Sequence, residues 1–460
     1  LLFGGSGSAL ARQQPNILLV FIDDMGWADF SCFGNDDVET KNIDQLAEEG
    51  IRFEQFYVNS PICSPSRVAI STGQYPQRWR ITSYLSNRRD NNARGMAQWL
   101  DPRAPMLARS LRDDGYTTGH FGKWHMGGQR DVGEAPLITE YGFDASLTNF
   151  EGLGPRVLAL KDAFDGTPVR KHALGSDVLG RGEITWQDRS LVTESFTSAA
   201  LEFIKRAETK GKPFYVNLWP DDVHSPFFPP AARRGDGAKR TLYRGVLNTM
   251  DEQLGVLFDY VRNRPNLRDN TLILVCSDNG PERGAGSAGH FRGFKTHLYE
   301  GGIRSPLIVW GPGVVNKKIT GTVNRTSVLA AIDLVPSLLA LANVEGPPGV
   351  VFDGQPLQDV LTGRSAASRT GPLFFRRPPD RDSFYGIADL PDLAIREGDW
   401  KLLCEYDGSD ASLFNLAIDR SEENDVAADY SGLVEGLTKQ VVAWHVEMPA
   451  DNGATYRKRR

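Results

Sequence analysis

The most apolar short runs of the chain are 17–22 (ILLVFI) and 272–276 (LILVC), in which no position alternates with a polar residue. Segment 214–219 (FYVNLW) is interrupted once, by Asn217, and 117–121 (TTGHF) is the weakest of the set. Runs of this length without alternation suit strands buried on both faces of a parallel sheet. Between them lie stretches with helical patterning at 42–49, 106–114 (stopped by Gly115), 194–208 and 243–261. The last places Val246, Leu247, Met250, Leu254 and Leu257 on one face. Strands that alternate with helices predict an α/β fold built on a large, mainly parallel sheet.

Each predicted strand gives way to chemically active polar residues. Run 17–22 ends in Asp23-Asp24, 117–121 in Gly122-Lys123-Trp124-His125, 214–219 in Asp222-Val223-His224 and 272–276 in Asp278-Asn279-Gly280. Open α/β sheets build their sites at the carboxyl ends of strands. Any one of these pairs also reads as a turn or helix cap. All of them together predict one shared site.

The pattern changes near Gly346-Pro347-Pro348-Gly349. Beyond it, 393–406 and 412–416 read as strands and 433–446 as a helix. This predicts a catalytic domain over 12–369 and a smaller α+β subdomain over 370–460. The opening stretch, LLFGGSGSALA at 1–11, combines apolar and small residues and ends small-x-small, as the end of a secretory leader does. A solvated tail is the other reading, and Arg457 to Arg460 reads as one as well.

Composition narrows the function classes. The chain has 460 residues, 40% hydrophobic and 24% charged, which is ordinary for globular proteins and excludes a disordered or coiled-coil chain. With 52 Lys plus Arg against 58 Asp plus Glu, the net charge is −6, which argues against nucleic-acid binding. No apolar run approaches the ~18 residues of a membrane span. Four cysteines are too few for a disulfide scaffold. Cys276 reads as core; Cys32 and Cys404 read as a pair or as free thiols.

The segment Pro61-Ile62-Cys63-Ser64-Pro65-Ser66-Arg67 predicts a helix start, with Ser64 as N-cap, Pro65 in the first turn and Gly73 as the stop. Cys63 then lies where the helix dipole favours negative charge, with Arg67 one turn on. The residues alone leave open a buried structural cysteine, a thiol nucleophile and a modified nucleophile. A soft thiolate beside hard carboxylates is chemically awkward.

Cys63-Ser64-Pro65-Ser66-Arg67 followed by Thr72-Gly73 resembles the signature of the type I sulfatases of the alkaline phosphatase superfamily. The second signature of that family resembles Gly115-Tyr116-Thr117-Thr118 running into Gly122-Lys123-Trp124-His125, with Phe121 bulkier than usual. Ser277-Asp278-Asn279-Gly280, the run KTHLYEGGIRSP at 295–306, Gly398-Asp399-Trp400-Lys401-Leu402, Leu413-Phe414-Asn415-Leu416 and 419–424 also match. The resemblance covers residues 15–445 and implies a sheet sandwiched by helices. It also implies that Cys63 is oxidised to formylglycine by a formylglycine-generating enzyme. Asp23, Asp24, Asp278, Asn279 and the modified Cys63 are then the ligands of a divalent cation. Their oxygens suit Ca²⁺ better than Mg²⁺.

By the same resemblance, the hydrated aldehyde attacks sulfur and one of its hydroxyls becomes sulfated. The other hydroxyl then expels sulfate. Arg67 and Lys123 hold the nucleophile, and His125 takes the proton when sulfate leaves. His224 and Lys295 grip the sulfate and protonate the leaving oxygen. Without the resemblance, His224 reads equally as a turn residue and Lys295 as a surface lysine.

The expectation is an exported, periplasmic or secreted sulfatase acting on a sulfated polysaccharide or oligosaccharide. A phosphodiesterase or phosphonate monoester hydrolase is the alternative, distinguished by substrate preference. A silent glycan-binding module would bind without turnover, and a Cys–His thiol hydrolase would ignore chelators. Substrate identity would rest on 81–104 and 152–187. Arg78, Arg80, Arg88, Arg89 and Arg94 lend the first of these loops and its approach a basic character suited to a polyanion. His290, Arg292 and Trp27 are further candidates for substrate contact, whereas Arg304 reads as structural.

Overall fold

The computed structural model describes residues 14–162, 168–379 and 390–453. The leader-like stretch at 1–11 and the basic terminal run therefore lie outside the described residues. In chain order the strands begin with β1 (Asn16–Ile22), β2 (Ile51–Tyr57), β3 (Thr117–Gly122) and β4 (Ala145–Leu147). An insert comes next, of β5 (Arg156–Lys161), β6 (Arg170–His172) and β7 (Ile184–Asp188). The chain returns with β8 (Phe214–Trp219), β9 (Thr271–Ser277), β10 (Arg304–Trp310), β11 (Thr322–Asn324) and β12 (Leu329–Ala330). It ends with β13 (Leu373–Arg376), β14 (Leu393–Glu397), β15 (Trp400–Cys404) and β16 (Ser412–Asn415).

The main sheet runs β11-β2-β10-β9-β1-β8-β3-β4, with β12 also pairing β2. From β9 to β4 every pairing is parallel, and only β10 runs against its neighbours. All seven residues of β1 are buried, as a strand covered on both faces requires. Their alternation sends Ile17, Leu19 and Phe21 to one face and Leu18, Val20 and Ile22 to the other. On the first face they meet α2 (Cys63–Thr72), α3 (Leu107–Asp113) and α7 (Ala331–Ala342), through Val68, Leu111 and Leu338. On the second they meet α1 (Lys41–Glu49), α4 (Val192–Thr209) and α5 (Lys239–Arg262), through Leu46, Phe196 and Leu254. The expected helix–sheet–helix sandwich is present.

The C-terminal strands form an antiparallel sheet, β13-β14-β15-β16, backed by α8 (Ser431–Glu447). The single strand expected over 393–406 is two strands of a hairpin, β14 and β15. Gly398, at φ +58°, turns the chain between them. Arg396-Glu397-Gly398-Asp399 breaks the apolar run at that turn, the local mark of the hairpin. This smaller sheet shares its core with Tyr57, Ala69, Tyr75 and Ile303 of the larger body. Lys401 on β15 reaches across to Glu300, in α6 (Glu300–Ile303), at 3.0 Å.

All four cysteines are free. Cys276 lies inside β9, fully buried, as its sequence context implies.

Candidate active site

Because β9, β1, β8 and β3 are parallel neighbours, their carboxyl ends open on one side of the sheet. Asp23-Asp24, Lys123 to His125, Asp221 to His224 and Asp278-Asn279 therefore converge. Helix α2 brings Cys63 to the same place, where Cys63, Lys123, His125, His224 and Lys295 line one cavity of about 260 Å³.

The start of α2 differs from the expectation. Cys63 is its first residue and Ile62 its N-cap, with no side-chain cap. The Ser64 hydroxyl instead accepts the Leu85 N–H at 2.9 Å, which ties the helix start to the loop beyond it. Gly73 ends the helix in the left-handed region at φ +68°, as expected.

Two backbone positions aim the side chains. Gly122 has φ +125°, and a Cβ there would fall 2.1 Å from the Trp219 carbonyl oxygen, so only glycine fits. The next residue, Lys123, donates its N–H to that same carbonyl at 2.9 Å and sends its ammonium to Asp23 Oδ2 at 2.7 Å. His125 is left-handed at φ +52°, held by its N–H on the Glu151 carbonyl at 2.8 Å. Asp24, at φ +58°, is held in the same way by Asp278 Oδ1.

The charges form a closed set. Arg67 is fully buried and donates to Asp23 at 2.9 Å, to Asp278 at 2.7 Å and to the Lys123 carbonyl at 3.0 Å. Lys295 pairs with Asp24 Oδ2 at 2.6 Å, and His224 Nε2 lies 3.5 Å from the same oxygen. Asn279 donates to Asp24 Oδ1 at 2.8 Å, which leaves its own buried oxygen without a partner. Burial works to raise Asp23, but Lys123 and Arg67 outweigh it and hold that carboxyl well below its usual range. Burial and the nearby Asp23 push Asp278 well above it.

These donors fit a divalent cation. Asp23, Cys63 and Asp278 each offer a ligand atom within 4.8 Å of the others, and so do Asp24, Cys63 and His224. The orphaned Asn279 oxygen and an Asp278 that resists ionising beside Asp23 both mark a place short of positive charge. Oxygen donors of this kind suit a hard ion.

Burial pushes the Cys63 thiol up to about 12 despite Lys123 and Lys295 nearby. A thiol enzyme needs the opposite shift, so the arrangement is poorly suited to a Cys–His thiol hydrolase. His125 is kept neutral by burial and by Lys123. Its Nε2 faces the Leu85 carbonyl at 2.9 Å and so carries the proton, which leaves Nδ1 as an acceptor with no protein partner. His224 donates from Nδ1 to the Ser225 carbonyl at 2.7 Å. This histidine thus makes a turn hydrogen bond and lines the cavity at once.

Sequence reasoning missed several residues here. Glu151 lies 3.3 Å from His125 Nε2, and burial raises its carboxyl. Asp221 accepts from Arg189 at 3.1 Å and from Asn149 at 2.8 Å, closing the floor of the cavity. Arg189, at the start of a 3₁₀ turn, and Asn149 carry no local signature. The arginines expected to serve a polyanion are engaged elsewhere: Arg78 pairs with Asp353, Arg88 with Glu134 and Arg89 with Asp90. Arg80 and Arg94 donate to the carbonyls of Gly95 and Tyr84. Of the loop at 81–104 only Tyr84 lines the cavity, and His290, Arg292 and Trp27 do not. Arg304 pairs with Glu300 at 3.0 Å, a structural contact as expected.

A protein-family model, the sulfatases, matches residues 15–344. N-acetylgalactosamine-6-sulfatase of Canis lupus familiaris is 30% identical over 391 residues, which is 81% of this chain and 70% of that protein. The solved structure of Ps i-CgsB with k-i-k-neocarrahexaose superposes with a TM-score of 0.75 at 26% identity, covering 94% of this chain and 93% of that one. The phosphonate monoester hydrolase SpPMH from Silicibacter pomeroyi shares the fold, with a TM-score of 0.65 at 19% identity over 95% of this chain and 96% of that one.

Proposed function

The chain belongs to the sulfatase family and hydrolyses sulfate esters, and on that premise we propose that it uses formylglycine at position 63 and a bound Ca²⁺ to remove O-sulfate from a sulfated carbohydrate. The observation that carries this reading is the placement of Cys63 against Asp23 and Asp278 on one side and Lys123, His125 and Lys295 on the other. The aldehyde supplies, as its hydrate, an oxygen nucleophile in place of a thiol. A cation held by Asp23, Asp24, Asp278, Asn279 and the residue at 63 supplies Lewis acidity.

The chain's own groups do the rest. Arg67 bridges Asp23 and Asp278 through one guanidinium nitrogen, Nη2, so it orients the two carboxyls and places permanent positive charge behind position 63. Lys123 adds a point charge on the cavity side. His224 and Lys295 face the sulfate, with Lys295 or His224 giving a proton to the departing sugar oxygen. The free Nδ1 of His125 accepts a proton as sulfate is expelled. The apolar, small-residue stretch at 1–11 supports a periplasmic or secreted location, and maturation requires a formylglycine-generating enzyme. A phosphonate or phosphodiester hydrolase is the weaker reading, since its support is likeness of fold.

The test is peptide mass spectrometry across Cys63 on protein made beside a formylglycine-generating enzyme, together with sulfate release from 4-nitrophenyl sulfate. An aldehyde or hydrate at position 63 and turnover lost in Cys63→Ala are expected. An unmodified thiol in active protein overturns the mechanism. A higher kcat/KM on phosphodiesters than on sulfate esters overturns the substrate class.

A further inference from the structure

The cavity that holds Cys63 extends away from the carboxylates, and its far wall comes from the insert of β5 to β7. Val157, Ala159 and Lys161 of β5 and His172 of β6 all line it. Phe150 lines it too, edge-on to His172 at 5.1 Å between ring centroids. An aromatic and aliphatic wall suits the apolar face of a sugar ring. A volume of about 260 Å³ is near the lower end of the ~300–1,000 Å³ of ordinary ligand pockets, which is room for a single ring.

One charge on that wall is unaccounted for. Lys161 lines the cavity, half-buried, yet among the described residues no carboxylate pairs with it. The neighbouring acids are committed. Asp162 pairs with Arg234 at 2.5 Å, and Asp221 is held by Arg189 and Asn149. The ammonium of Lys161 instead lies 5.5 Å from the centroid of the Phe228 ring. Arg130, also on the cavity wall, reaches Glu151 only at 3.8 Å, beyond hydrogen-bond distance, and its buried Nε has no partner. The sulfate grip of His224 and Lys295 involves neither residue, nor does the nucleophile contact of Lys123.

We infer that Lys161, supported by Arg130, forms a subsite for a second anionic group on the sugar that carries the scissile sulfate, either a carboxylate or another sulfate. The inference rests on the sulfated-carbohydrate reading above and narrows it to a doubly anionic ring. Burial and the nearby Arg189 push the Lys161 ammonium down to about 8, so an anion brought against it meets a poorly hydrated cation and bonds the more strongly. Without such an anion the Lys161 ammonium has only the Phe228 ring and the charge of Asp221 to offset it, with no direct ion pair among the described residues.

The experiment compares hexosides bearing one cleavable sulfate alone, the same sulfate with a second sulfate, and the same sulfate with a carboxylate. Preference is read as kcat/KM where the ester is cleaved and as Ki against 4-nitrophenyl sulfate where it is not. The wild-type enzyme is expected to prefer one doubly anionic sugar by about tenfold or more, and whether that is the disulfate or the uronate identifies the group. Lys161→Met should abolish most of the preference and Lys161→Arg should restore it. Equal values for singly and doubly anionic sugars in the wild type overturn the inference, as does a preference that survives in Lys161→Met. The wild-type comparison needs no variant, so a misfolded protein does not remove the test. Loss of 4-nitrophenyl sulfate turnover in the wild type would instead count against the sulfatase mechanism itself.

Discussion

The backbone N–H of Asp24 donates to Oδ1 of Asp278 across 3.0 Å, joining two strand ends 254 residues apart in the chain. The bond holds Asp24 in its left-handed turn and draws the carboxylates of β1 and β9 together. The fold thus packs the carboxyls of Asp23, Asp24 and Asp278 against Arg67, Lys123 and Lys295, and burial beside Asp23 still opposes ionisation of Asp278.

Metal binding should therefore stabilise the folded chain measurably. At a free Ca²⁺ concentration 100 times Kd, linkage adds about 2.7 kcal/mol. Calorimetry should show Tm rising with Ca²⁺ and falling with chelator. In Asp278→Asn, which removes one carboxylate from the site, the Ca²⁺-dependent rise and the activity should disappear. A wild-type Tm indifferent to both Ca²⁺ and chelator would remove the cation site.

His120 sets an acid limit on stability. It is fully buried among Trp124, Trp219 and Phe143, and its Nε2 lies 3.2 Å from the Gly122 carbonyl. Burial, with help from Arg67, lowers its pKa from 6.5 to about 3. The unfolded chain takes up this proton below pH 6.5 and the folded chain does not. The contribution is thus complete above pH 6.5 and is lost progressively as pH falls to about 3, at about 1.4 kcal/mol per pH unit. Urea unfolding of wild type and His120→Asn between pH 7 and pH 4 isolates this contribution. Parallel curves for the two proteins would contradict it.

Lys401 bonds Glu300 at 3.0 Å and Glu422 at 2.8 Å, with all of these side chains inaccessible to water. Glu300 also takes the Tyr57 hydroxyl at 2.5 Å and Arg304 at 3.0 Å. Burial disfavours its charge, but Lys401 and Arg304 prevail and lower its pKa to about 2. Burial, together with the charge of neighbouring Glu300, raises Glu422 to about 7 in spite of Lys401. Lys401→Met strips the cation from both and should cost about 3–5 kcal/mol in urea unfolding. A loss under about 1 kcal/mol would show that the smaller sheet docks through its apolar core alone.

Much of this architecture is legible in the sequence. Runs 17–22 and 272–276 are apolar throughout because their strands are covered on both faces, and the polar pairs that end them gather because parallel strands share one carboxyl edge. The hairpin of β14 and β15 is also written locally, as the polar break Arg396-Glu397-Gly398-Asp399 between two apolar halves, and reading 393–406 as one strand passes over that turn.

The chain by itself determined the fold class, the sulfatase signatures and the residues that converge on Cys63, since each is written locally as a hydrophobic period or a short motif. Only the tertiary structure decided which charges are spent and which are free. The arginines around the loop at 81–104 are consumed by nearby acids and carbonyls, whereas Lys161 lines the cavity with no ion pair among the described residues, Asp162 and Asp221 being held by Arg234 and Arg189. Whether a charge is left without a partner depends on every element packed around it, and no local pattern in a sequence records that sum.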